Sequence, residues 1–218
     1  LDLDTLKLAK KAGCFFFSYG LESASPMVLK SMKKKIKVEQ VVEAIELAQE
    51  VRVGFGANLI FGDPVETVDT WAESLSFWLK YGQRNFVFLA NLMPYPGSKV
   101  FEVCQTKGMF KDKKAYYENI DKHIPNMTAI PDKTFVELLN LTHHLEIAWL
   151  FVTPALNVRY ERETAELFKV WATCPYCGEE SVYRQDTPAG KQAFWMGTGC
   201  TKCNRRIKVK VDVEMSSP

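Results

Sequence analysis

Six cysteines occur in the 218 residues, and four of them form two C-x-x-C pairs, Cys174-Pro-Tyr-Cys177 and Cys200-Thr-Lys-Cys203. Two intervening residues allow a tight turn in which both thiolates face one ion, and two such turns supply a tetrahedral four-sulfur site. Gly178 and Asn204 follow the second cysteine of each pair, where a left-handed backbone helps free amides turn toward the sulfurs. Zinc is favoured, with a redox iron held by the same sulfurs as the alternative. Four protein sulfurs leave no open position, so hydrolytic chemistry is not expected there. Cys14 and Cys104 fall in a strand and a helix and read as small buried apolar residues. His143 and His144 are adjacent on a helical pattern and cannot both point at one ion, and His123 stands alone.

Around those cysteines, Ser181–Arg184 and Ala193–Met196 read as strands with a Pro188-Ala-Gly190 turn between them, and Ile207–Val213 alternates apolar and charged residues. That is the layout of a zinc ribbon. So small a β-unit has too little core to fold alone, and metal binding would supply its stability. Lys202, Arg205, Arg206, Lys208 and Lys210 form a basic edge near Tyr176, Tyr183 and Trp195, the composition of a nucleic-acid contact. The structural role of the metal leads and contact with RNA or DNA comes second.

The first half of the chain has a different rhythm. Val53–Thr67 runs from small residues through Leu59-Ile60-Phe61 to a break at Gly62-Asp63-Pro64. A short apolar run closed by Gly and Pro reads as a buried strand. Thr67 then caps a helix carrying Trp71, Leu75, Trp78 and Leu79. Cys14–Gly20 and Asn85–Met93 are similar strands. Ser25 with Pro26, and Ser98, open the helices that follow. Val38–Val51 is a further amphipathic helix, and Leu1–Gly13 has a lysine-rich helical pattern. Three β-then-α units in series predict a parallel sheet with covering helices, their loops on one rim where ligands bind. After Gly108 the spacing predicts loops and short turns, an apolar helix over Thr134–Leu150, and a last helix over Val158–Val170.

Bulk properties exclude more than they assign. A net charge of +2 and 47% apolar residues give no global electrostatic case for nucleic acid or an anionic membrane. No apolar run approaches the roughly 20 residues needed to span a bilayer, and the cysteine spacing favours metal over disulfides, as in a cytoplasmic protein. The missing initiator Met and the abrupt helical start are those expected of a chain truncated upstream.

Four motifs come in a familiar order: Gly20-Leu21-Glu22-Ser23, Lys33–Val38, Phe61-Gly62-Asp63-Pro64-Val65-Glu66-Thr67 and Met93-Pro94-Tyr95-Pro96-Gly97-Ser98. Together they resemble the second half of a radical S-adenosylmethionine (SAM) core, a partial parallel (βα) barrel, most of all the branch with an N-terminal cobalamin-binding domain. The resemblance covers Leu1–Gly108. It implies that Glu22 and Ser23 face the ribose or amino acid moiety of SAM. It implies that Lys33, Lys34 or Lys35, with Lys35 preferred, meets the SAM carboxylate. Asn58, Ile60 and Gly62 would line the adenine and ribose, and Leu92, Met93 and Pro94 would close the adenine pocket. A zwitterionic nucleoside needs a few polar partners on an apolar concave wall, and this rim offers them. Val65 departs from a glycine common in the family. The Cys-x3-Cys-x2-Cys loop that holds the [4Fe–4S] cluster is absent from these residues.

The expected architecture is α/β: a half barrel over 1–110, a loop and helical extension over 111–170, and a zinc ribbon over 171–218. The expected function is that of the C-terminal portion of a radical SAM enzyme, with radical methylation as one outcome and cobalamin as a further cofactor. A missing N-terminal half would be its partner and a small molecule or RNA its substrate, and the portion alone would be inactive. The alternative is a nucleic-acid-binding zinc ribbon on a non-catalytic half-barrel scaffold.

Overall fold

A computed structural model of the chain describes residues 2–82, 84–110, 112–120, 124–147, 152–187 and 193–212. Asp2 opens helix α1 (Leu3–Lys11) by accepting a hydrogen bond from the Thr5 amide at 2.8 Å. Strand β1 (Phe16–Glu22) leads into the short α2 (Pro26–Ser31) and then α3 (Val38–Val51). Strand β2 (Gly54–Phe61) is followed by α4 (Val68–Phe77), which ends in a π turn, Trp78–Gly82. Strand β3 (Phe86–Asn91) leads into α5 (Lys99–Thr106). Thr67 and Ser98 cap as their positions suggest, accepting from the Thr70 and Phe101 amides at 3.3 and 3.2 Å. Ser25 holds the same position before α2 without a side-chain cap.

The three strands form a parallel sheet in the order β1-β2-β3. Alternation along β2 divides its side chains cleanly. Phe55, Ala57, Leu59 and Phe61 are buried against the helices, in one core with Ile45 and Ala48 of α3 and Trp71 and Phe77 of α4. Gly54, Gly56, Asn58 and Ile60 therefore belong to the opposite face. There the Phe16 ring lies across β2: a Cβ on Gly54 or Gly56 would come within 2.7 or 2.3 Å of it. The small residues that open the central strand thus make room for a neighbour's aromatic ring. This second face is only partly covered, with Phe16 37% and Phe88 43% exposed. The sheet is α/β and parallel, as its sequence predicts.

Beyond the sheet lie α6 (Lys113–Glu118) and α7 (Asp132–Ile147). The latter closes the β3 edge, Glu146 accepting from the Leu89 amide at 2.8 Å. Trp71, stacked on Phe61 with ring centres 4.7 Å apart, donates its indole N–H to the Thr142 hydroxyl at 2.9 Å. His123 and the Trp149-Leu150 end of the expected helix lie outside the described residues, as do Leu1, the Pro188-Ala-Gly190 turn and Val213.

The expected helix over Val158–Val170 is not formed. Strands β4 (Leu156–Arg162) and β5 (Leu167–Thr173) occupy that stretch and pair antiparallel, with β6 (Glu180–Asp186) on the far side of β5. Strands β7 (Ala193–Gly199) and β8 (Arg206–Asp212) make a separate antiparallel pair. The period is two, not 3.6: Phe168, Val170 and Ala172 point into one core with Phe194, Met196, Ile207, Val209 and Val211. The antiparallel strands consequently begin at Leu156.

Because Thr142 is buried and its hydroxyl is the acceptor for Trp71, Thr142→Val should orphan a buried indole N–H. A loss of about 1–3 kcal/mol in unfolding free energy is expected, measured by urea denaturation followed by circular dichroism.

Candidate metal centre and rim site

The two C-x-x-C turns repeat one backbone plan. In the first, the Gly178 amide donates to the Cys174 carbonyl at 3.0 Å and the Cys174 amide to Glu179 at 2.8 Å; in the second, Asn204 donates to Cys200 at 2.9 Å and Cys200 to Arg205 at 3.0 Å. Gly178 and Asn204 both adopt positive φ, 74° and 56°, so the left-handed turn expected after each pair is present. Asn is among the few residues other than glycine that accept it readily.

The turns bring all four sulfurs within 4.8 Å of one another. Cys174 and Cys203 approach to 3.7 Å, as do Cys177 and Cys200. A tetrahedron with metal–sulfur bonds near 2.3 Å has edges of about 3.8 Å, so the spacing fits one ion at the centre. Burial pushes the Cys200 thiol up, but the Cys203 and Lys202 amides together with the Cys174 and Cys177 side chains outweigh it and bring it down to about 7. Burial holds Cys174 and Cys203 above the ordinary thiol value. The Lys202 amide points at the Cys200 sulfur, 3.4 Å away, and such donors favour a thiolate. Bare thiols this close together are an unrelieved arrangement, whereas a cation converts them to four ligands.

The second turn also touches the parallel sheet. Asn204 donates its side-chain N–H to the Arg52 carbonyl at 3.0 Å, just before β2, and the Arg206 amide donates to the Arg84 carbonyl at 3.1 Å, just before β3. The cysteine turn therefore sits under the amino ends of the strands.

The rim lies at the opposite, carboxyl ends. Glu22, in a left-handed conformation with φ 66°, ion-pairs with Lys34 at 2.8 Å. Lys35 is exposed and lines a cleft of about 360 Å³ with Tyr19, Gly20 and Gln40. Lys34, not Lys35, is the lysine that the fold brings to Glu22. Ser23 is buried, with its hydroxyl 3.1 Å from that of Ser74 and accepting from the Ser25 amide. Its polar atoms are engaged inside the protein. Asn58 and Ile60 share the partly open sheet face, and Gly62 follows at φ 104°. Register sets Glu22 beside Leu59, and Ile60 and Phe61 beside Ala90 and Asn91. Met93 is half-buried just beyond β3, and Pro94 is buried with its carbonyl accepting from the Tyr116 hydroxyl at 3.0 Å.

Glu66 is a rim residue whose role sequence reasoning did not single out. It is 1% exposed and accepts the Gly62 amide through Oε2, closing the turn around Gly62-Asp63-Pro64. Burial raises its carboxyl to about 7, against the pull of the Gly62 and Asp63 amides. Oε1 of Glu66 and Oδ1 of Asn91 have no hydrogen-bond partner among the described residues. A carboxyl that keeps its proton is the form such surroundings tolerate. The signal in the sequence was a Glu four residues after a Gly at a strand end.

Residues 1–77 match the family model of the Radical SAM superfamily. Over 96 residues the chain is 29% identical to an uncharacterized methyltransferase of Pyrococcus horikoshii, a match covering 44% of this chain and 21% of that protein. Over 90 residues it is 31% identical to the tRNA-2-methylthio-N(6)-dimethylallyladenosine synthase of Protochlamydia amoebophila, covering 40% of this chain and 20% of that one. Each match thus spans about a fifth of the curated relative. Among solved structures, the archaeal Methanocaldococcus infernus Elp3 with an N-terminal deletion aligns at a TM-score of 0.42 and 13% identity, over 87% of this chain and 55% of that one.

Cys200→Ser should strip the module of its metal, read as loss of bound metal in elemental analysis, with a lowered melting temperature. Glu66 yields a pH signature. Its proton is held more tightly folded than unfolded, so its contribution to stability is complete below the ordinary carboxyl value of 4.5 and is lost as pH rises through about 7. Glu66→Gln should therefore match the natural protein in urea melts at pH 4.5 and exceed it in stability at pH 8.

Proposed function

We propose, from the match of residues 1–77 to the Radical SAM family model, that the carboxyl rim of the parallel sheet binds SAM. The protein would act as the C-terminal part of a radical SAM enzyme, and the four-cysteine module would hold structural zinc. One observation carries the SAM assignment. The β1-β2-β3 register sets Glu22, the Asn58-Ile60-Gly62 row and the segment after β3 side by side on adjacent strands, about 4.8 Å apart per step. This is the scale of a nucleoside laid across strand ends.

On that reading, Asn58 supplies a side-chain amide to the base or ribose from an exposed position on the sheet face. Ile60 and Met93 give the apolar wall. Glu22, held by Lys34, presents a carboxylate to hydroxyl or ammonium groups, and Lys35 is placed to meet an anion at the cleft edge. Glu66 shapes the loop from behind, fixing the Gly62 amide so that the turn does not collapse onto the ligand. Reductive cleavage of SAM is the chemistry that a [4Fe–4S] cluster supplies in this superfamily, and its three-cysteine loop is not among these 218 residues. The half-barrel description belongs to the same proposal. It is supported by the sheet's sequential strand order, with the core helices packed on one face. Methylation is its preferred outcome, supported by the methyltransferase and methylthio-transfer names of the similar proteins. Cobalamin use rests on the motif resemblance alone.

Zinc rather than iron is supported by the closed four-thiolate geometry within a small β-module, the pattern of a structural site. Titration calorimetry of SAM into the anaerobically purified natural gene product should show one site. Asn58→Leu should weaken it about tenfold, the equivalent of one hydrogen bond left unmade. Absence of any SAM-dependent heat from that protein would overturn the assignment. Elemental analysis of the same sample should return one zinc per four-cysteine module.

A further inference from the structure

The β7–β8 pair has two faces of opposite character. Phe194, Met196, Ile207, Val209 and Val211 are buried in the module core. Alternation sends Trp195, Arg206, Lys208 and Lys210 to the other side. Trp195 is 50% exposed, with the ammonium groups of Lys208 and Lys210 lying 4.8 and 5.4 Å from its ring centre. Among the described residues of this face, Asp212 is the one acid, and it pairs with Lys210 at 2.7 Å. The face thus presents Arg206, Lys208 and Lys210 beside Asp212, and Arg206 also feels the Glu146 carboxylate of α7.

The strip does not end at the module. Arg206 places its guanidinium 6.0 Å from the ring centre of Phe88 on β3. Phe88 is partly exposed, on the same side of β3 as Phe86, whose ring meets Phe16 edge-on at 5.7 Å. A path of alternating cations and aromatic rings therefore runs from Trp195 along the hairpin to the open wall of the parallel sheet.

We infer that the outer face of the β7–β8 hairpin binds a single strand of nucleic acid, with Trp195 stacked on a base and Arg206, Lys208 and Lys210 meeting its phosphates. The chemistry is that of sequence-tolerant strand binding: a π-face for any base and cations spaced along the backbone. A duplex hides its base faces and would waste the protruding indole. The opposite face of the module has similar residues in a different balance. Trp171 there is flanked by Arg159 and Lys169, but Arg159 is ion-paired with Glu180 at 2.8 Å and Lys169 stands opposite Glu161 in register. Its cations are matched by carboxylates, so it serves as an internal control. The inference stands apart from the SAM site, since strand binding needs neither SAM nor a cluster.

The test is fluorescence anisotropy of labelled oligouridylate and oligothymidylate, about 20 nucleotides long so as to exceed one module's site size, with the metal-loaded natural protein. Saturable binding is expected, and the two strands tell RNA from DNA. Trp195→Ala should weaken it at least fivefold, roughly one stacked base, with Trp195→Phe largely restoring it. The double change Lys208→Gln, Lys210→Gln should reduce the slope of log affinity against log salt by about 1.4. Trp171→Ala should bind like the natural protein. Unchanged metal content in each variant certifies the fold. The inference is overturned if no strand binds, if Trp195→Ala binds unchanged, if Trp171→Ala is the variant that weakens, if a duplex binds as tightly, or if anionic phosphatidylserine vesicles bind and oligonucleotides do not.

Discussion

Four sulfurs gathered within 4.8 Å are the constraint from which the C-terminal half follows. A space that small makes sense for thiolates only around a cation, and the cation in turn holds two loops that share no backbone pairing with each other. The β-module has a core of modest size, built from one side of β5, β7 and β8. Without the centre its two sheets, which share no strand ladder, would be joined by that core and by a few bonds, such as those from the Tyr183 hydroxyl to the Gly199 carbonyl at 3.0 Å and from the Ala155 amide to the Lys208 carbonyl at 2.8 Å. The same centre reaches the parallel sheet through the second turn, since Asn204 and Arg206 are the residues that bond to the Arg52 and Arg84 carbonyls. Metal binding is thus coupled to how the amino ends of β2 and β3 are finished.

At the carboxyl ends the logic is inverted. Buried polar residues near the strand ends are spent on holding loops. Ser23 meets Ser74, Asp63 accepts from Ser31 at 2.8 Å and from the Val65 amide, and Glu66 takes the Gly62 amide. Each is buried, and each would be costly to leave unpaired. What remains for a ligand is the row that alternation leaves on the open face, Asn58 and Ile60, together with exposed groups at the edge such as Lys35. A rim of this kind separates shape from access: the buried pins set the loops, and the strand faces stay open.

Much of this was legible in residue order. The three βα units, the caps at Thr67 and Ser98, and the gathering of the four cysteines follow from local patterns, because each depends on residues close in sequence. The Val158–Val170 stretch looks helical in sequence because its alternation is interrupted by charged residues, and short apolar runs do not by themselves tell a strand from a helix. The partners that settle it, Phe194 and Ile207 among them, lie more than a turn of chain away. The pairing of Glu22 with Lys34 was equally hidden. Three consecutive lysines look alike in sequence, and the left-handed backbone at Lys33, φ 55°, decides which of the next two turns inward.

Position in the fold joins the two halves more tightly than their separate chemistries suggest. Arg206 closes the second cysteine turn, opens β8, donates its amide to Arg84 and sends its side chain to Phe88. Because β8 must turn Ile207, Val209 and Val211 inward, its even-numbered cations have nowhere to go but out. They go out on the side that Arg206 has already aligned with the open wall of the sheet. A cation held by the four cysteines would therefore do more than staple a small module: by fixing where β8 begins, it would fix the direction in which that row of cations meets the sheet.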